Sequence, residues 1–134
     1  MQLNVPIDIA DAIQSVLNAD GHNASARPLP RDFDQRMPFT LVEPIIGGGR
    51  ADVVLDRHPV RLYTYAATPA KAIAESSAVM AALINRVGGT LGGQPCYRVA
   101  PADMPYDAHD PEHPDVARAC FTAQVYVRAI TIDQ

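Results

Sequence analysis

The apolar residues of this chain change period several times, and each change marks a predicted element. Ile9, Ile13, Val16 and Leu17 recur at helical spacing, with Pro6 where a missing N–H does no harm and Gly21 just after the last apolar position. The spacing predicts an amphipathic helix over residues 7–19. The segment "HNASARPLPRDFDQRMP" carries three prolines and five charges without a period. It reads as an extended connection of low core content, with a short strand near residues 24–29. "FTLVEPII" has the β-branched and aromatic content of a strand, and Pro44 places its end at a sheet edge or a bulge.

Beyond the glycines of "IIGGGR", alternation becomes clean. Val60, Leu62 and Thr64 point to one face, and Arg61, Tyr63 and Tyr65 to the other. "TPAKAIAESSAVMAALINRVGG" then reads as a helix with Thr68 as N-cap, Pro69 at its first position and Gly88 at its stop. Its predicted buried stripe is Ile73, Met80, Leu83, Ile84 and Val87, and its alanines suit close approach to a sheet. Past "GGTLGGQP", both "CYRVAP" and "ARACFTAQVYVRAITI" are strand-like. The second sets Phe121, Ala123, Val125, Val127 and Ala129 against Thr122, Gln124, Tyr126, Arg128 and Ile130. The order predicts an α+β domain over residues 1–134, a mostly antiparallel sheet of about four strands with two helices packed on one face. The opposite face is left to bind something. Whether residues 51–56 form a strand of their own is left open.

Length and charge narrow the functions. A chain of 134 residues matches one domain with a core that needs neither metal nor disulfide. The net charge of −4 argues against a surface built for nucleic-acid phosphates, so no sequence-specific nucleic-acid binding is expected. The opening "MQLNVPIDIADAIQ" has no basic region and no long apolar run, so no secretory signal, no membrane span and a cytosolic start are expected. Cys96 and Cys120 form no CxxC motif and read as buried reduced thiols on strands. A disulfide requires their strands to be neighbours.

Three chemical readings are open to these residues. A phosphate-cradling loop at Gly47, Gly48, Gly49 and Arg50 needs a helix directly after it, whose N-terminus supplies donors and dipole. A β-branched run broken by Pro59 follows instead, so the glycines read as a projecting turn between antiparallel strands. In "YDAHDPEHPDVAR", His109 and His113 are four apart, as in helical zinc sites, but Pro111 and Pro114 forbid a regular helix. A solvated acidic loop fits better, and no metal or cofactor is predicted. No G-x-S-x-G elbow presents Ser15, Ser76 or Ser77, Cys120 has no local signature, and the pairs Asp32 with Asp34 and Asp52 with Asp56 are explained as turn formers. No enzyme is predicted. The alternative is a small metal-dependent hydrolase using the His109 and His113 loop.

The whole pattern resembles the tail terminator proteins of long-tailed phages and prophages, also called tail completion or minor tail proteins. The matching stretches are "DIADAIQSVLNA", "ASARPLP", "PFTLVEPIIGGG", "HPVRLYTYAATPAKA" passing into "AIAESSAVMAALINR", and "ARACFTAQVYVRA" after "MPYDAHDPEHPD". They span almost the full chain. The resemblance implies a structural virion protein located in the tail and assembled in the host cytoplasm. Such a protein forms a ring with copies of itself, usually six, through heterologous contacts. It caps the tail tube protein, meets a head-completion or neck protein, and leaves a lumen through which DNA passes. Its candidate contact loops here are the one holding Gly47, Gly48, Gly49 and Arg50 and the one holding Tyr106, His109 and His113. A head-closure or neck adaptor is the alternative in the same structural class.

Overall fold

The computed structural model describes residues 1–133. In chain order the elements are β1 (Gln2–Val5), α1 (Ile9–Ala19), β2 (Asn23–Ala26), a 3-10 turn (Phe33–Arg36), β3 (Phe39–Pro44) and β4 (Gly49–Arg50). There follow β5 (Leu55–Ala66), α2 (Pro69–Ile84), β6 (Thr90–Leu91), β7 (Gln94–Pro101), β8 (Tyr106–Asp107), β9 (Ala117–Arg128) and β10 (Ile130–Asp133). The α+β expectation holds, but the sheet is larger than the four strands predicted. Eight strands form one curled, half-barrel sheet in the order β2-β3-β5-β9-β7-β6, with β4 on β5 and β8 on β9. The extra strands are short, and two-residue edge strands leave no period in a sequence. A separate ribbon joins β1 to β10.

The two long alternating segments make the spine. β5 and β9 pair antiparallel from Leu55 opposite Arg128 to Ala66 opposite Ala117. Directly opposed residues share a face, so Val60, Leu62, Phe121, Ala123, Val125 and Val127 point together into the core against Ile13 and Leu17 of α1 and Val79 and Leu83 of α2. Thr40 and Thr64 sit in the same layer and satisfy each other across β3 and β5 at 3.0 Å. Among the described residues only β2 runs parallel to its neighbour, β3, because the long 27–38 connection carries the chain back to the same end.

Both helices begin where side-chain caps are available. The Asp8 carboxylate accepts from the Asp11 N–H at 3.1 Å and Thr68 Oγ1 from the Lys71 N–H at 3.2 Å, so α1 starts two residues later than its spacing suggested. The predicted stripe of α2 holds at Leu83, with Met80 partly buried against the core, and is corrected elsewhere. Its buried residues are Ala72, Ser76, Val79 and Leu83, while Ile73 and Ile84 are 36% and 41% exposed and Val87 lies beyond the helix, also exposed. The cause is close approach: Ala72 meets Ala66 and Ala119, and only a small-residue face lets the helix lie that near the strands.

The face opposite the helices is only partly open. At the end where β5 finishes and β9 begins, Phe33, Phe39 and Tyr65 form a second apolar cluster with Leu29, Met37, Tyr63 and Val116. The 27–38 connection, expected to have little core content, therefore covers that end of the sheet with Phe33. Cys96 and Cys120 are both buried free thiols. Their strands are neighbours, yet Cys96 lies opposite Val127, seven residues along β9 from Cys120, and the two face opposite sides of the sheet. Burial pushes both thiols above their usual range.

Candidate functional site

The two loops singled out in the sequence occupy opposite ends of the β5–β9 spine. The glycine loop joins the sheet at Asp56 and Arg57, beside Val127 and Tyr126, whereas β8 joins it at Cys120 and Ala119. Seven residues of strand separate Val127 from Cys120, about 23 Å at the usual rise. They form two surfaces and not one site.

The glycine loop is a hairpin excursion. β3 stays in register with β5 up to Pro44 opposite Val60, and the Ile45 N–H still donates to the Pro59 carbonyl at 3.0 Å. The chain then swings out and returns as β4, with Gly49 opposite Arg57 and Arg50 opposite Asp56. Gly47 takes a φ of +120°, open to glycine alone. At Gly48 a Cβ would lie 2.7 Å from the Arg57 carbonyl oxygen and 2.9 Å from Pro59 Cδ. The glycines are therefore not the turn between antiparallel strands that was expected: they bulge the chain between β3 and β4, let it lie directly against β5, and leave the reversal to residues 51–54. Residues 51–54 are the tip, and Leu55 already belongs to β5.

Arg50 fastens this excursion. Its Nε donates to the buried Asp56 carboxylate, Nη1 to the Val53 carbonyl at 3.1 Å and Nη2 to the Asn4 carbonyl at 3.1 Å. Arg57 adds a bond from Nη2 to the Gly47 carbonyl at 3.0 Å. The tip is thus held in one shape, yet it leaves Ile46 and Val53 exposed.

At the other end, Asp110 organises the acidic loop. Its carboxylate accepts from Tyr65 Oη at 2.8 Å, from the Glu112 N–H at 3.0 Å and lies 3.5 Å from Arg118 Nη1, with His113 Nδ1 at 2.8 Å. Burial pushes this carboxyl up, but the bonds from His113, Tyr65 and Glu112 and the Arg118 charge together hold it at about 2. Burial, foremost, raises the Tyr65 phenol to about 12. Arg118 also donates to the carbonyls of Ala108 and His109 and stacks over Tyr63 at 4.3 Å. The segment that reads in the sequence as a solvated loop is therefore anchored through one buried carboxylate, a role that Asp-Pro-Glu-His in a charged run does not announce.

His109 and His113 are not brought together. The His109 side chain is exposed, while His113 faces Asp110 and meets the Phe33 ring edge-on at 4.9 Å. Tyr106 lies opposite Cys120, half exposed. Among the described residues no three His, Cys, Asp or Glu side chains converge as metal ligands. A groove of ≈ 380 Å³ between Pro6, Ile9 and the hairpin holds Asp56 and His58. The Arg50 guanidinium already occupies Asp56, and burial lowers the His58 pKa against the pull of Asp56. Neither group is poised to take a cation. Among the described residues no helix is long and apolar enough to cross a membrane.

One feature was hidden in the sequence. The non-core face of β5, β9 and β7 collects Arg57, Arg61, Arg98 and Arg128, with Tyr126 between Arg57 and Arg98 across three adjacent strands. None of the four makes an ion pair among the described residues, whereas Arg27, Arg36, Arg50, Arg86 and Arg118 all do. The alternation in each strand had already placed Arg61 and Arg128 off the core; only the strand pairing gathers the set. No family model matches the chain, and no curated protein matches it significantly.

Proposed function

We propose that this chain is a structural assembly protein of a phage or prophage tail, a terminator-like ring subunit that caps the tail tube and joins it to the head. The observation that carries this reading is the hairpin excursion over residues 45–54. Arg50 and Arg57 tie it to the body of the protein with three bonds, and Gly48 lies close against β5, yet its apolar side chains Ile46 and Val53 point into water. Ordering a projecting loop costs roughly 1–2 kcal/mol per residue. A loop ordered without burying its own apolar groups is prepared for a surface that arrives later, as in assembly with other chains.

The acidic loop supports the same reading from the far end. Asp110 anchors it on the sheet, and Met104 and Tyr106 remain exposed on it. Two preordered, partly apolar surfaces at opposite ends of one sheet suit heterologous contacts, in which a different patch of each subunit meets the next. Electron microscopy of the purified protein, alone and mixed with tail-tube polymer, should show rings free or at tube ends. Strictly monomeric protein that never joins a tube would overturn the proposal. Rings that bind a portal or neck complex and ignore the tube would assign the head-closure role in its place.

A further inference from the structure

At the hairpin end of the sheet, three of the arginines without an ion pair, Arg57, Arg98 and Arg128, lie beside an apolar hollow. Val53, Val54, Leu55 and Tyr97, with Asp52 at the rim, line a groove of ≈ 390 Å³. Leu55 is directly opposite Arg128, and Arg57 lies two residues further along the same face. Arg98 leans over the Tyr126 ring at 5.7 Å, which holds its guanidinium at the surface. The positions between them on that face, Pro59, Gln124 and Ala100, carry no charge. Two carboxylates nearer the middle are engaged: Glu43 with Arg27 at 3.2 Å and Asp103 with the Thr122 N–H at 2.8 Å.

An exposed apolar groove rimmed by Arg and Tyr has the composition of a protein interface. A polyanion would need the positive charge without the groove, and the net charge of −4 repels one at long range. The complementary chemistry is present on the same chain. The 104–115 loop exposes Met104 and Tyr106 beside Asp107, Glu112 and Asp115, none of which makes an ion pair among the described residues. Asp110 anchors this loop about 23 Å of strand away from the groove. It cannot reach its own groove, so the match can be made only between molecules.

We propose that the arginine-bordered groove at the hairpin end receives the 104–115 loop of a second copy of this chain. The contact is heterologous and repeats from copy to copy, leading to a closed ring or an open filament according to the rotation per step. This rests on the self-assembly reading above and names the two surfaces that meet.

Charge exchange tests it. Sedimentation velocity over a concentration series compares the wild type, a groove variant (Arg98→Glu with Arg128→Glu), a loop variant (Asp107→Arg with Glu112→Arg) and their equimolar mixture. All four positions are at least partly exposed, and thermal melts check that the fold is kept. The wild type should associate. Each variant alone should associate at least about 100-fold more weakly, because like charges then face each other. The mixture should recover association, since reversed groove then meets reversed loop. Variants that assemble like wild type overturn this pairing and leave self-assembly standing, whereas a wild type monomeric up to its solubility limit overturns both. Recovery that fails in the mixture also overturns the pairing. So does loss of binding to a short labelled DNA duplex in the groove variant with self-association unchanged, which would make a polyanion the occupant.

Discussion

Tyr65, on β5, donates its phenol hydrogen to the buried carboxylate of Asp110 across 45 residues of sequence, at 2.8 Å. This bond ties the acidic loop to the spine of the sheet and closes the second apolar cluster over Phe33. Replacing Tyr65 by Phe keeps the ring packing and removes one donor, which should cost about 1–2 kcal/mol. Asp110→Asn removes the charge that His113 and Arg118 face and should cost on the order of 3 kcal/mol. Urea denaturation of both variants checks the order. In the Asp110 variant, limited proteolysis should cut first within residues 108–116.

The same carboxylate gives stability a defined pH dependence. Its folded pKa of about 2 lies below the ordinary 3.8, so its contribution is complete above the ordinary value and is lost as pH falls toward about 2. The difference in stability between wild type and Asp110→Asn should therefore shrink by about 2 kcal/mol between about pH 5 and pH 2. Tyr65 acts at the other extreme. Its pKa is raised to about 12, so its contribution is complete below 10 and declines as pH rises from there. Melting temperatures of wild type and Tyr65→Phe should converge over that alkaline range.

Gly48 and Gly49 are neighbours with opposite tolerances. A Cβ at Gly48 would press into the Arg57 carbonyl and the Pro59 ring, neither of which is a flexible side-chain end, whereas one at Gly49 meets nothing within 4 Å. Gly48→Ala should push the excursion off β5 and destabilise by about 1–3 kcal/mol. Gly49→Ala should be neutral or slightly stabilising, by up to about 1 kcal/mol, through the unfolded chain. Amide exchange at Ile45 and Gly49 reports whether only the first variant loosens the hairpin.

How much of this was legible depends on the range of the interactions. Local rules placed Thr68 as a cap and Val60, Leu62 and Thr64 on one face, because each rests on a residue and its near neighbours. On α2 the period placed Leu83 inward correctly but also Ile73 and Ile84, which lie exposed, because contact with the strands selects the small face, as Ala72 against Ala119 shows. Phe33 was hidden in a charged, proline-rich stretch whose partner, Tyr65, comes much later in the chain. The gathering of Arg57, Arg98 and Arg128 needed three strands in register, and no single strand carries that information. Asp110 lay in a run of acids that composition alone could not rank.

The thiols give a direct check on strand pairing. Cys96 faces the helices and Cys120 the other side of the sheet, each buried and with its thiol pKa raised by burial. Neither thiolate formation nor access favours reaction, so labelling by a thiol reagent should follow unfolding. Oxidising conditions should leave intact mass unchanged and form no internal disulfide. A bridged species that survives with native melting behaviour would contradict the register of β7 on β9.

Helix α2 separates two residues of its predicted stripe, Leu83 and Ile73. Leu83 is fully buried among both helices and the strands, and Leu83→Ala should cost about 2–5 kcal/mol. Ile73, in the same predicted stripe but exposed at the flank, should change stability by less than about 1 kcal/mol when replaced by Ala. Ser76 points inward with its hydroxyl buried and without a hydrogen-bond partner. A hydroxyl in that state is unfavourable, and Ala has the better helix propensity, so Ser76→Ala should raise stability by about 1 kcal/mol. Chemical denaturation of the three variants tests the orientation of the helix: an Ile73→Ala as costly as Leu83→Ala, beside a Ser76→Ala without benefit, would mean that α2 is rotated about its axis toward the rest of the predicted stripe.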